Sequence, residues 1–194
     1  DELIALAKTK EKLLVVYQNR RYDSDFLTIK DLIEKGSIGE VFYFETFVGG
    51  YSKPCSYWHS DKDVSGGAIF DWGSHFLDQI MSVISAPLKS VSGLNQKRVW
   101  DHVTNADHSQ VTLTFNDGVQ AVFTNSDLAA ARKPKYFVLG TKGSIVGEWD
   151  HSSETVTDLP AIIYLFHPDG KKQAVENIKP TPFSFHQSLV AYLL

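Results

Sequence analysis

The sequence predicts an α+β fold: a large, mostly antiparallel β-sheet with helices on one face, entered through a helix and a buried strand. Three observations lead there. Helical periodicity is concentrated in the front half of the chain. The back half is a series of β-hairpins punctuated by Asp-Gly and Lys-Gly turns. Near the start, "KLLVVYQN" is an apolar run without alternation, as expected of a strand buried on both faces in a parallel sheet.

Each element follows in order. "DELIALAKTK" reads as a short helix with Leu3, Ile4, Leu6 and Ala7 on its apolar side. A helix and then a doubly buried strand, right at the first residue, make half of a βαβ unit. The far end stops inside "FSFHQSLVAYLL", an amphipathic pattern with no C-cap glycine. A piece of a longer polypeptide is therefore expected. "SDFLTIKDLIEKG" predicts a helix with Ser24 as N-cap and Gly36 at C′. "GEVFYFETFVGG" predicts a strand, and "YSKPCSYWHSDKDVSGG" a long irregular connection, a place where function concentrates. "GGAIFDWGSHFLDQI" opens a helix expected to reach about Ser85, before Pro87. "KSVSGLNQKRV" is a further strand. Hairpins follow with turns at Asn116-Asp117-Gly118, Thr141-Lys142-Gly143 and Pro168-Asp169-Gly170. The two longer helices should cover one sheet face; the other needs a cover or exposes an apolar patch.

Composition narrows the partners. The chain has 194 residues, 43% apolar and 12% aromatic, enough for a substantial core. A net charge of −4 argues against nucleic acid or an anionic membrane as partner. Cys55 is the only cysteine, so no intrachain disulfide forms and a cytoplasmic location is expected. No apolar run approaches membrane-spanning length.

The chemistry centres on Asp71 and His75. Four residues apart on a helix, they share one face and could hydrogen-bond each other or reach one ligand. A carboxylate near a helix N-terminus is favoured in its charged form. Histidine titrates near neutrality and can exchange a proton with a hydroxyl. Gly66 and Gly67 allow close approach just before the helix. The same pair could equally be ordinary helix stabilisation. No metal site is expected: His59 is near in sequence, but a second ligand cluster is lacking. Neither a Gly-rich phosphate loop nor a G-x-S-x-G elbow occurs.

The segment "GGAIFDWGSHFLDQI" resembles the signature of the Gfo/Idh/MocA family of NAD(P)-dependent oxidoreductases, a glycine pair followed by D-x-G-x-H-x-x-D. "YQNRRYDSDFLTIKDLIEKGSIGEV", "VLGTKGSIVGEW" and "FHQSLVAYL" resemble further family stretches, in the family's order from Asp1 to Leu194. The resemblance implies that residues 1–19 end an N-terminal dinucleotide-binding Rossmann domain. Residues 20–194 would then be a C-terminal α/β substrate and oligomerisation domain, cut short at its C-terminus. The glycine fingerprint and the catalytic lysine would lie outside this chain. By the same resemblance, Asp71 binds a substrate hydroxyl and His75 is its acid/base. Asn19 and Arg20 form a corner facing cofactor and substrate, and Trp58 lies near the nicotinamide. His59 stands where the family often has arginine, which puts a phosphate contact there in doubt. The implied cofactor is NAD or NADP, and the implied substrate a sugar, inositol or related polyol. The implied assembly is a homodimer or homotetramer through the open sheet face. A non-catalytic sugar-sensing or dimerisation module of the same fold is the alternative.

Overall fold

A computed structural model describes residues 1–150 and 160–179, together with Val190. The chain forms α1 (Glu2–Thr9), α2 (Ser24–Glu34), β1 (Val41–Gly49), α3 (Lys62–Ser65) and α4 (Trp72–Val83). Then come β2 (Leu88–Gln96), β3 (His108–Phe115), β4 (Gln120–Ser126), β5 (Tyr136–Gly140), β6 (Gly143–Glu148), β7 (Ile162–Phe166) and β8 (Lys172–Val175). Short 3-10 turns cover Asn19–Tyr22 and Trp58–Ser60. The strands make one sheet in the order β2-β3-β4-β1-β5-β6-β7-β8. Its neighbours are antiparallel except β1 and β4, which run parallel. β1 arrives from α2 and slots between the two hairpin blocks, so it meets one strand in each sense.

Strand alternation sorts the two faces. In β3, Val111, Leu113 and Phe115 are buried beneath the helices, while His108, Gln110, Thr112 and Thr114 point the other way. α4 packs on β4 and β1, and α2 on β7. Between them lies one core of Ile29, Phe76, Ile80, Phe123, Tyr136, Val138, Ile145 and Ile163. Each such side chain contributes about 1.5–3 kcal/mol when fully buried. No described helix covers the opposite face. Register places Glu45, Phe137, Val146 and Tyr164 there side by side. Glu45 accepts hydrogen bonds from Lys133 Nζ at 2.6 Å and Tyr43 Oη at 3.0 Å.

A buried ion pair fastens α2 to the sheet. Lys135 Nζ donates to Asp25 Oδ2 at 2.6 Å, and both residues are nearly inaccessible. Asp25 also accepts from the backbone amides of Phe26 and Ala161. Both carboxylate oxygens are thus satisfied, which is what makes such a buried charge tolerable.

The hairpins and their turns fall where the residues place them, and Gly36 follows the last residues of α2 with φ +67°. Four expectations are corrected. "KLLVVYQN" is not a strand: Leu13, Leu14, Val15 and Val16 are exposed. A parallel strand exists only by hydrogen bonds to neighbours, and no described strand lies beside it. Ser24 is not the N-cap; extended Asp23 takes that place, and Ser24 is the first helical residue. The connection 51–67 is not wholly irregular, since it carries α3 and a 3-10 turn. The helix after the glycine pair begins only at Trp72 and ends at Val83. Gly66 and Gly67 take φ of +77° and +83°, which closes α3 and forces a turn before a new helix starts. The late segment "FHQSLVAYL" falls, apart from Val190, outside the described residues. No described helix is long and apolar enough to cross a membrane.

Asp25→Ala should lower the unfolding free energy by about 3–5 kcal/mol, because it strands the Lys135 ammonium in the core. Urea denaturation followed by circular dichroism measures it; a loss below 1 kcal/mol would show the pair to be dispensable.

Candidate active site

The site is built around the N-terminal end of α4. Its inner face, Gly73, Phe76, Gln79 and Ile80, is buried. Phe76 stacks on Phe123 with ring centroids 5.8 Å apart and planes 19° apart. Gly73 lets the helix come this close: a Cβ there would sit 3.1 Å from the Phe123 ring. With the inner face seated, Asp71 and His75 are carried to the helix's half-exposed side.

Asp71 occupies the N-cap position of α4 rather than its first turn, and it makes no capping hydrogen bond. Its Oδ2 lies 3.6 Å from His59 Nδ1. The Asp71 carboxylate thus faces His59, and no hydrogen bond joins it to His75. His75 is partly buried, and its Nδ1 is enclosed without a hydrogen-bond partner. Burial pushes the His75 imidazole below its ordinary value, and the nearby Arg20 guanidinium pushes the same way. Asp71 and Asp78 oppose them. His75 is thus held toward its neutral form, the form that can accept a proton.

The corner Asn19–Tyr22 packs against α4. Arg20 lies over the Trp72 ring, 4.8 Å from its centroid, and Arg20 Nη1 reaches Asp23 at 3.4 Å. Arg21 grips both oxygens of Asp78 at 2.7 and 2.6 Å. Gln79 Nε2 donates to the Arg20 carbonyl at 2.7 Å. Asn19 joins the same turn, next to Arg20.

Trp58 and His59 reach the site from another loop. Their rings are 4.6 Å apart, and Trp58 stays largely exposed. Residues 97–107 hold this loop from behind. The amides of Thr104 and Asn105 donate to the Ser60 carbonyl, and Asn105 Nδ2 donates to the His59 carbonyl at 2.9 Å. Asp107 shapes that support: its carboxylate accepts from Lys97 Nζ and from the amides of Arg98, Val99 and Trp100. Burial opposes ionisation of Asp107, but these donors prevail and hold its carboxyl far below the usual carboxylate range.

The structure therefore brings Asp71, His59 and Trp58 together on one side, and His75 and Arg20 together on the other, with Asp71 acting electrostatically on His75. Asn19 belongs to the corner through its backbone turn. Reading the residues alone missed Trp72, Asp78 and Gln79, all on α4, and the buttress 97–107. The final aspartate of D-x-G-x-H-x-x-D and the glutamine one turn beyond His75 were the available signals. Nothing local marked Asp107. Among the described residues no group of His, Cys, Asp and Glu could hold a metal ion.

Residues 26–146 match the GFO/IDH/MocA C-terminal domain. The chain belongs to this family. An uncharacterized oxidoreductase of Schizosaccharomyces pombe is 31% identical over 151 residues, covering 75% of this chain and 41% of that protein. The scyllo-inositol 2-dehydrogenase (NADP(+)) IolW of Bacillus subtilis is 29% identical over 141 residues, covering 72% of this chain and 38% of that enzyme. Among solved structures, an NAD-binding protein from Listeria innocua superposes with a TM-score of 0.75 at 28% identity, over 99% of this chain and 56% of that one. The chain thus spans less than half the length of these curated relatives. In the family's C-terminal domain the mostly antiparallel sheet seen here is the expected architecture.

Two substitutions should move His75 in opposite directions. Arg20→Met removes a neighbouring positive charge, so the His75 pKa rises. Asp71→Asn removes a negative one, so it falls further. Imidazole proton NMR across pH 4–9, with His75 assigned from a His75→Gln variant, reads both; shifts of the same sign would contradict the arrangement.

Proposed function

We propose that the protein carrying this chain oxidises a secondary hydroxyl of a sugar, inositol or related polyol, with NAD or NADP as cofactor. The observation that carries the reading is the meeting of a carboxylate, a neutral-leaning histidine and an arginine at the N-terminal end of one helix, beside an exposed tryptophan. The similarity to an inositol dehydrogenase supports the choice of substrate class.

The chain's own groups have distinct parts. Asp71 accepts a hydrogen bond from a substrate hydroxyl beside the reacting one and so fixes the direction of the substrate. His75 accepts the proton of the reacting hydroxyl, and Asp71 then steadies the resulting imidazolium. Burial of the imidazole, aided by Arg20 held over Trp72, favours neutral His75 beforehand. Trp58 offers a flat apolar face to a ring, whether sugar or nicotinamide. His59 borders the Asp71 carboxylate on its outer side, with Nδ1 3.6 Å from Oδ2. A bound nicotinamide supplies the acceptor for the hydride that leaves the carbinol carbon. Fit to that group is partial: Asn19, Arg20 and Trp58 can border its reactive end, but the chain has no Gly-rich loop for its phosphates. The dinucleotide is therefore held mainly by residues outside these 194, in a Rossmann domain of which residues 1–19 are the end. Holding donor and acceptor in line supplies about 7–11 kcal/mol of the barrier reduction. The apolar stripe on the uncovered sheet face makes the protein self-associate, as a homodimer or homotetramer. Cys55 as the lone cysteine fits the reducing cytoplasm.

Steady-state assays of the whole protein with NAD and NADP across a panel of inositols and aldoses test the proposal. Turnover is expected, with His75→Gln and Asp71→Asn each lowering kcat by about 10²–10⁴-fold. The 194-residue chain alone should turn nothing over. Full activity in either variant contradicts the assignment, and polyol binding without turnover in the whole protein would indicate a sensor instead. Sedimentation at micromolar concentration should show a dimer or tetramer; a monomer counts against the sheet-face contact.

A further inference from the structure

Gln79 is fully buried, yet it carries a primary amide where an apolar side chain would fill the same space. It sits one helical turn beyond His75 on α4 and faces the sheet. Its Nε2 donates to the Arg20 carbonyl at 2.7 Å. Its Oε1 accepts from Tyr136 Oη at 3.0 Å. Tyr136 is itself fully buried on β5, packed edge-on against Phe44 and tilted against Phe76. A buried amide is costly unless both ends are bonded, and here both are. The amide thereby ties the middle of the sheet, the helix bearing His75 and the corner bearing Arg20 into one rigid unit. The corner's other ties to α4 run through side chains: Arg20 over the Trp72 ring, and the two-pronged Arg21–Asp78 pair, exposed on the arginine side.

We propose that Gln79, oriented by Tyr136, is a positioning residue for the reaction: it fixes the Arg20 corner against α4 and so sets how Arg20 faces His75. The inference rests on the reading that His75 takes the substrate proton. The charges around His75 are Arg20 from the corner and Asp71 and Asp78 from α4, with Asp23 beside Arg20, Arg21 on Asp78 and His59 on Asp71. Of the three charges that act directly on His75, Arg20 is the one that disfavours the imidazolium, and its backbone is the one Gln79 holds. If the corner loosens, Arg20 drifts, and His75 keeps its proton to higher pH.

The test compares Gln79→Met and Tyr136→Phe with the parent enzyme by kcat against pH, using the whole protein with its dinucleotide and an inositol that it oxidises. Gln79→Met keeps length and packing but loses both hydrogen bonds. Tyr136→Phe keeps the ring and removes only the hydroxyl that orients the amide. The acid limb should move up by about half a pH unit in Gln79→Met, a roughly threefold change in the proton-binding constant, and by less in Tyr136→Phe. Activity at high pH should approach the parent's. An unmoved limb in both variants overturns the inference, and so does loss of fold in both, which would make the network structural only. A parent enzyme whose acid limb survives His75→Gln instead refutes the reading beneath it, so the two failures are distinguishable.

Discussion

The seating of α4 on the sheet is the constraint on which the rest of the molecule depends. Phe76 stacks on Phe123, Ile80 fills the core behind it, and Gly73 admits the close approach. A helix is stiff, so fixing its inner face fixes the direction of its outer one. Asp71 and His75 owe their places to apolar packing on the other side of the same turns. This is why a site carried by a regular element can be more exact than one carried by loops.

Around that helix the protein uses two kinds of fastening. The core side relies on satisfied buried polar groups: Asp25 with Lys135, and Gln79 with Tyr136 and the Arg20 carbonyl. Each replaces adaptable apolar contact with a fixed geometry, since only one arrangement meets every donor and acceptor. The outer side relies on a second loop. Trp58 and His59 have little packing of their own, and they are placed because residues 97–107 bond the backbone beneath them. Asp107 is the anchor of that loop, gathering consecutive amides and an ammonium on one carboxylate.

Most of the architecture was legible in the residues because it rests on local signals. Aromatic and β-branched runs marked the strands, glycine-bearing turns marked the hairpins, and an amphipathic run marked the helix that carries His75. The failures were also physical. "KLLVVYQN" has strand composition, but a strand is a relation between segments, and no described neighbour completes it. The Ser24 assignment assumed a side-chain cap, whereas neither Asp23 nor Ser24 makes one. Asp71 was read as a partner for His75 from spacing alone. The glycine turn placed it before the helix, within reach of His59 from a loop that sequence distance says nothing about. Gln79 read as an ordinary helical polar residue, because its partners, Tyr136 and the Arg20 carbonyl, are brought to it only by the fold. The family resemblance supplied what composition could not, the likeness of the corner Asn19–Arg20 to a cofactor-facing turn.

The most direct test of the central claim is a crystal structure of the whole protein with its dinucleotide and an inositol bound. The account predicts one secondary hydroxyl within hydrogen-bond distance of His75, its carbon facing the nicotinamide, and a hydroxyl of the same polyol on Asp71. A polyol seated away from the N-terminal end of α4, touching neither side chain, would contradict it.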